Sequence, residues 1–229
     1  MSGPLHVLVV DMNVGFSERG ALSSPRVGAI VPDMADFLRS LPPRHHLSAA
    51  GTGSEVVFIG DSHRPGDPEL ARFPEHCMER SGEDGIRPEL IRACEAAGIV
   101  SVIHHKKEHD GFIVDDAAPS KSFIGSDGGR RSCFRLDSLT ADSDEWVVVG
   151  CVTDICVDIN VGALVMRGKR VTVVRSLIET YDLPLEKCRE LGLPDHAAHD
   201  ADKINEFWFG HRFPALWGAR VVGDWRELL

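Results

Sequence analysis

Six cysteines, eleven histidines and a surplus of acids run through this 229-residue chain, and a few of them fall at spacings that chemistry could use. Gly150-Cys151-Val152-Thr153-Asp154-Ile155-Cys156-Val157 joins an apolar run to a helical pattern. With Thr153 or Asp154 as N-cap, Cys156 falls in the first helical turn. Free backbone N–H groups and the helix dipole there favour a thiolate and can hold an oxyanion. A core cysteine on the buried face of that helix is the alternative, because free thiols are often buried as small hydrophobes. Asp11 ends another apolar run and could move a proton, although acids in such places are commonly turn residues. Lys106 and Lys107 end a third run, and at least one of the pair must be solvated. Gly60-Asp61-Ser62-His63 sets a carboxylate and an imidazole two residues apart, facing the same way on extended chain. Asp67, Glu69 and Phe73-Pro74-Glu75-His76-Cys77 follow. Two histidines with carboxylates suit Zn²⁺, Fe²⁺ or Mn²⁺, whereas scattered acids and histidines otherwise mark only a polar loop. Cys77 is read as structural.

These residues converge only if the elements between them bring them together. Residues 5–10, 56–60, 100–104, 146–150, 170–174 and 219–222 are short, β-branched and almost continuously apolar. That pattern belongs to strands buried on both faces, as in a parallel sheet. Helical spacing covers 30–41, 87–97, 154–166 and 202–217, and Gly98, Gly168 and Gly218 stand where left-handed C-caps are expected. The alternation predicts an α/β fold: one domain over 1–229, three α/β/α layers around a central, mostly parallel six-stranded sheet. Residues 17–27, 64–87 and 112–131 read as loops, and 181–200 as a short helix with an inserted loop. Asp11, Asp61, His63, the two lysines and the segment leading to Cys156 all follow strands. In an open parallel sheet they share the carboxyl edge, where ligands bind.

The octapeptide GCVTDICV resembles the G-x-x-T-D-x-C-V signature of the isochorismatase-like cysteine hydrolases, a superfamily that includes the nicotinamidases. The opening VVDMNVGFSERGALSSPRVGAIVP resembles the nicotinamidase pattern V-D-x-Q-x-D-F…G-x-L…I-V-P at Val10, Asp11, Phe16, Gly20, Leu22, Ile30, Val31 and Pro32. Asn13 replaces the usual Gln and Gly15 the second Asp, departures that bear on hydrogen bonding near the cleft. The D-x-H pair, an acid and Phe73-Pro-Glu-His-Cys resemble D-x-H…W-P-P-H-C, with Phe73 in place of Trp. Residues 207–222 resemble the family's last helix and strand, while 181–200 has no counterpart.

The resemblance implies Cys156 as nucleophile, a cis bond at Cys151–Val152, and oxyanion donors from the N–H groups of Val152 and Cys156. It implies Asp11 as the proton carrier, and Lys106, counted back from Phe112, as the cation beside it, with Lys107 as the alternative. It maps metal ligands onto Asp61, His63 and His76, with Glu69 as a fourth in some members. The implied cofactor is one divalent ion, zinc foremost, with iron or manganese as alternatives, that holds the pyridine nitrogen between Phe16 and Phe73. Isochorismatases and carbamoyl-group amidases share the cysteine motif and generally lack this metal set. The implied activity is hydrolysis of nicotinamide to nicotinate and ammonia in NAD salvage, with pyrazinamide as a side substrate. Another amide or carbamoyl hydrolase of the superfamily, or a non-catalytic metal-binding member, are the competing readings. Asp11, Lys106 and Cys156 together argue against the last, since a binding module needs none of the three.

Composition narrows the partners. Apolar residues make up 43% and charged residues 26%, a globular balance. The net charge of −10 speaks against nucleic acid and anionic membranes. No apolar run approaches the roughly 20 residues of a membrane helix. The start, MSGPLHVLVVD, lacks a basic region before its apolar run, so a cytoplasmic location is expected. No CxxC pair occurs, and Cys151 reads as a packing residue. His196 and His199 read as surface histidines. Arg130, Arg131 and Arg135 read as a solvated loop or an oligomer contact, and a homo-oligomer is compatible with the family.

Overall fold

The computed structural model describes residues 5–43, 54–112, 122–124, 130–132, 136, 143–190 and 192–229. All six expected strands form: β1 (His6–Val10), β2 (Glu55–Asp61), β3 (Val100–Lys106), β6 (Glu145–Cys151), β7 (Arg170–Glu179) and β8 (Arg220–Val222). They make one sheet in the order β3-β2-β1-β6-β7-β8, and every pair is parallel. The chain starts in the middle, builds outward to β3, then crosses β1 to build the other half. The order therefore reverses between β1 and β6, and a crevice opens beyond the carboxyl ends of those two strands.

Alternation along β1 splits the core into two layers. Val7 and Val9 face one layer with Phe37, Leu38, Met34 and Leu90, which come from the helices α1 (Val31–Ser40) and α2 (Pro88–Ala96). Leu8 and Val10 face the other, with Trp146, Val161, Leu164 and Phe213 around α3 (Asp158–Met166) and the C-terminal helical segment. Each of these large side chains contributes about 1.5–3 kcal/mol by leaving water. Pro32 and Pro88 sit in the first turns of α1 and α2, where a missing N–H is harmless. Gly98, Gly168 and Gly218 take φ of 65°, 78° and 65°, the left-handed conformation that ends a helix.

Several boundaries differ from expectation. A separate turn, Pro25–Ala29, precedes α1. The expected helix at 154–166 begins as a π-helical turn, Thr153–Val157. The one at 202–217 is α-helical only over Ala201–Phe207 (α5) and continues as a π-helix, Trp208–Leu216, that contains Pro214. Proline removes a ladder donor, which favours such a wider turn. β7 runs five residues past its expected end. Within 181–200 the short helix α4 (Leu185–Glu190) and a 3-10 turn, Asp195–Ala197, are found. Most of 113–131, with Cys133 and Arg135, lies outside the described residues. Arg130 and Arg131 belong to β5 (Arg130–Ser132), which pairs antiparallel with β4 (Ser122–Ile124), so this part is a ribbon and not a loop. Among the described residues no helix is long and apolar enough to cross a membrane.

Candidate active site

Strand β6 delivers the thiol. Gly150 has φ of 124°, and a Cβ there would stand 2.0 Å from the carbonyl oxygen of Val10, so β1 and β6 can approach this closely only at glycine. The Cys151–Val152 peptide is cis, as the resemblance implied. Cys156 lies in the first turn beyond, 6% exposed. Neither expected N-cap acts as one. The Thr153 hydroxyl bonds to Asn205 Oδ1 at 2.6 Å, and Asp154 accepts from the Thr180 hydroxyl at 2.7 Å, so tertiary partners claim both side chains. Asn160, one turn after Cys156, donates to the carbonyls of Cys156 (2.8 Å) and His109 (2.9 Å) and accepts from the Gly111 N–H (3.0 Å). It ties the loop after β3 to the nucleophile's helix. Cys151 is buried and donates to the Asp11 carbonyl at 3.0 Å, a packing role at the cavity wall.

The register of β2 with β3 pairs Asp61 with Lys106. Lys106 points inward and is 1% exposed, while Lys107 turns to the rim, bonding the Ser62 carbonyl and lying 3.4 Å from Glu79. Strand alternation thus separates the two lysines. Lys106 Nζ stands 2.9 Å from Asp11 Oδ2, 2.5 Å from Asp61 Oδ1 and 3.8 Å from Cys156 Sγ. One buried ammonium therefore links two carboxylates and the sulfur. Burial opposes its charge, but Asp11 and Asp61 outweigh that and keep Lys106 firmly protonated. Asp11, at φ 52° and 1% exposed, is pushed up to about 7 by burial against the pull of Lys106. Burial also raises the Cys156 thiol well above its usual range, more than Lys106 lowers it. That direction is opposite to the one the helix terminus alone favours.

A raised carboxyl pKa fixes the sign of a stability effect. Below its ordinary value of 3.8 Asp11 is protonated in both folded and unfolded chains, and stability falls as pH rises from there to about 7. Asp11→Asn is therefore expected to raise the Tm of the metal-free protein at pH 8, with no such gain at pH 4. Thermal melts of both proteins check this, and equal Tm values at pH 8 would contradict the assignment.

Beside this group lie four buried side chains: Asp61, His63, Glu69 and His76. One ligand atom from each falls within 4.8 Å of all the others. His63 Nε2 and His76 Nε2 each stand 3.5 Å from Asp61 Oδ2, and His76 Nε2 is 3.7 Å from Glu69 Oε1. Asp61 Oδ2, Glu69 Oε2, His76 Nε2 and both His63 nitrogens are buried without a hydrogen bond. Buried polar atoms are rarely left so, and a shared cation would satisfy all four residues at once. His76 Nδ1 faces the Pro74 carbonyl at 2.7 Å, which leaves Nε2 as the free donor. These residues fit a divalent ion.

Two sequence departures have physical reasons here. Asn13 clasps β2, donating to the carbonyls of Asp61 (3.0 Å) and Asp84 (2.9 Å) and accepting from the Asp61 N–H (3.3 Å). A Cβ at Gly15 would lie 2.5 Å from Cys77 Sγ, so an aspartate has no room there. Cys77 itself is fully buried and burial keeps it a thiol, in keeping with a structural role.

Both clusters open on one cavity of 490 Å³. Phe16 and Phe73 line it, their ring centres 5.5 and 6.4 Å from that of His76. Several lining residues were not anticipated, His109, Arg26 and Tyr181 among them. His109 is edge-on to Phe73, with Nδ1 3.2 Å from Glu69 Oε1 and 3.8 Å from Cys156 Sγ. Its place in the polar run between Lys106 and Phe112 gave the one usable signal. Arg26 arrives from a segment read as loop, and Tyr181 from one read as a short helix with an inserted loop. His199, expected at the surface, is half-buried against the Tyr181 ring at 5.0 Å, while His196 is exposed.

No protein-family model matches the chain. A nicotinamidase of Escherichia coli (strain K12) is 29% identical over 188 residues, which span 75% of this chain and 81% of that protein. Among solved structures, the N-carbamoylsarcosine amidase from Thermoplasma acidophilum aligns with 96% of each chain, at 22% identity and a TM-score of 0.60. The pyrazinamidase/nicotinamidase from Streptococcus mutans UA159 aligns over 95% of this chain and 99% of that one, at 18% identity and a TM-score of 0.63. The chain thus has the fold of the isochorismatase-like hydrolases and, in its sequence, resembles the nicotinamidases among them.

Proposed function

We propose that this chain is a metal-dependent nicotinamidase, an amidohydrolase that converts nicotinamide to nicotinate and ammonia in cytoplasmic NAD salvage. The observation that carries the reading is a Cys156–Lys106–Asp11 group beside the Asp61–His63–Glu69–His76 cluster in one cavity. The charge of the walls supports a neutral substrate. Among the described lysines and arginines that line the cavity, Arg26 is met by Glu179, Asp182 and Asp202 and Lys187 by Glu190, while Lys106, buried beside it, is met by Asp11 and Asp61. Among the described residues a carboxylate-bearing substrate such as N-carbamoylsarcosine meets no lysine or arginine at this wall without an acidic partner, and a ring amide needs none.

In this reading ionised Asp11 takes the Cys156 proton, and the sulfur attacks the carboxamide carbon. The N–H groups of Val152 and Cys156 receive the oxyanion, and losing one such donor costs on the order of 10²–10³ in rate. Asp11 returns its proton to the departing nitrogen, so ammonia leaves and a thioester remains on Cys156. Water, deprotonated by Asp11, attacks the thioester; the C–S bond breaks, the sulfur regains that proton from Asp11, and the acid leaves as nicotinate by giving its own proton to solvent. Lys106 holds Asp11 in place throughout. Phe16 and Phe73 sandwich the ring. A divalent ion, zinc foremost with iron or manganese as alternatives, would bind the pyridine nitrogen and so aim the carboxamide at Cys156.

Ammonia release from nicotinamide by the metal-loaded protein tests the proposal; turnover of N-carbamoyl amino acids in its place would overturn it. Its pH profile should lose tenfold per unit on the acid side once Asp11 is protonated, with the bend at or below about 7 because a nearby cation lowers that value further. A rate that shows no acid-side bend down to the ordinary carboxyl value of 3.8 would contradict Asp11 as the base. Binding of the ion should raise Tm: at a thousand times Kd the gain is about 4 kcal/mol. His63→Ala should remove most of that gain in a thermal-shift titration, and an unchanged shift would exclude His63 as a ligand.

A further inference from the structure

The cavity is larger than one ring amide requires. Its 490 Å³ lies in the range of sites that enclose drug-sized molecules. Nicotinamide has nine non-hydrogen atoms, and even at the roughly 30 Å³ that a water takes in the liquid these fill about 270 Å³. Phe16 and Phe73, against His76 and His109, mark the end where the chemistry lies. The rest of the wall comes from two segments that hold no reacting group, with Leu22 and Pro25 on one and Tyr181 and Leu183 on the other.

That second wall is built, not loose. Arg26 bridges both segments through Glu179 at 3.2 Å and Asp182 at 3.9 Å, and it also pairs with Asp202. Leu183 forms a two-way backbone bridge with His199, at 3.0 and 2.9 Å. Asp182 accepts from the Ala201 N–H at 2.8 Å, anchoring the segment to the start of α5. Preorganised apolar walls of this kind bind without first paying to become ordered. Tyr181 is the chain's one tyrosine, its ring packs on His199, and no hydrogen bond to its hydroxyl is formed among the described residues.

We infer that this outer half is a subsite for a second ring, so that the substrate class extends to carboxamides of fused heteroaromatic rings. The inference rests on the amidase reading above and deepens it. The added ring meets the wall that Leu22, Tyr181 and Leu183 line, and an uncharged extension fits best because Arg26 and Lys187, the described arginine and lysine at this wall, already have acidic partners.

The test uses the full chain loaded with Zn²⁺ and compares ammonia release from nicotinamide and from quinoline-3-carboxamide, which is nicotinamide with a benzo ring fused on. Binding of both amides to zinc-loaded Cys156→Ala is measured by calorimetry alongside. The expected kcat/KM for the bicyclic amide is within about tenfold of that for nicotinamide, and Leu183→Trp should lower the bicyclic-to-nicotinamide ratio at least tenfold by filling the subsite. Turnover of nicotinamide with neither turnover nor binding of the bicyclic amide overturns the subsite and leaves the amidase reading standing. Turnover of neither overturns the amidase reading, and the subsite is then judged on binding alone, where weaker binding of the bicyclic amide overturns it. A ratio unmoved by Leu183→Trp also overturns it.

Discussion

Cys156→Ala is expected to lower kcat for ammonia release by at least about 10⁴-fold, the scale on which removal of a covalent nucleophile acts. Steady-state ammonia assays measure it. The change deletes one buried sulfur from a helix held by Asn160, Val157 and Val161, so the fold should survive. A Tm close to that of the wild type therefore belongs to the same expectation, and separates lost chemistry from lost structure. Cys151→Ala provides the internal control for sulfur chemistry: it removes a thiol from the same cavity wall but from a residue that bonds only to the Asp11 carbonyl. Its effect should be far smaller. Substantial turnover by Cys156→Ala would mean that water attacks the amide directly.

The second large effect is on stability. Lys106→Met keeps the length and most of the volume of the side chain but leaves Asp11 and Asp61 buried with no ammonium between them. Removing one partner from a buried ion pair typically costs 3–5 kcal/mol, because the remaining charge is stranded in a medium that solvates it poorly. For a chain of this length that is roughly a 10 °C fall in Tm for the metal-free protein. Asp11→Asn in the Lys106→Met background should recover part of the loss, so the two changes are non-additive, as expected for groups in direct contact. Turnover should also drop by a factor of a hundred or more, since Asp11 loses its orienting partner. A Lys106→Met protein as stable as wild type would show that the three charges do not depend on one another.

The sheet was legible because strands buried on both faces leave continuous apolar runs. β7 was misjudged where Arg175 and Ser176 interrupt its run, although Leu177 and Ile178 return it to the core. That error hid a part of the site. A strand that reaches Glu179 must release residues 180–187 at the carboxyl edge, and this is how Tyr181 and Leu183 come to line the cavity. Lys106 was found by counting, but what selects it physically is its register opposite Asp61, which no single segment displays. The same holds for the caps: Thr153 and Asp154 are good cap residues locally, and Asn205 and Thr180, distant in sequence, take them over. The upward shift of the Cys156 thiol was invisible for a related reason. The helix terminus is a local feature, whereas burial depends on the whole fold, and burial prevails. All four residues of the metal cluster lie between 61 and 76, yet scattered acids and histidines read equally as a polar loop, and the resemblance to the family picked them out.

Acid-quenched mass spectrometry of the metal-loaded enzyme with excess nicotinamide tests the covalent route most directly. The expected result is a nicotinoyl group on the peptide that contains Cys156, absent before substrate is added and absent from Cys156→Ser treated identically. An enzyme caught in active turnover whose Cys156 peptide is never acylated at any time point would contradict the account.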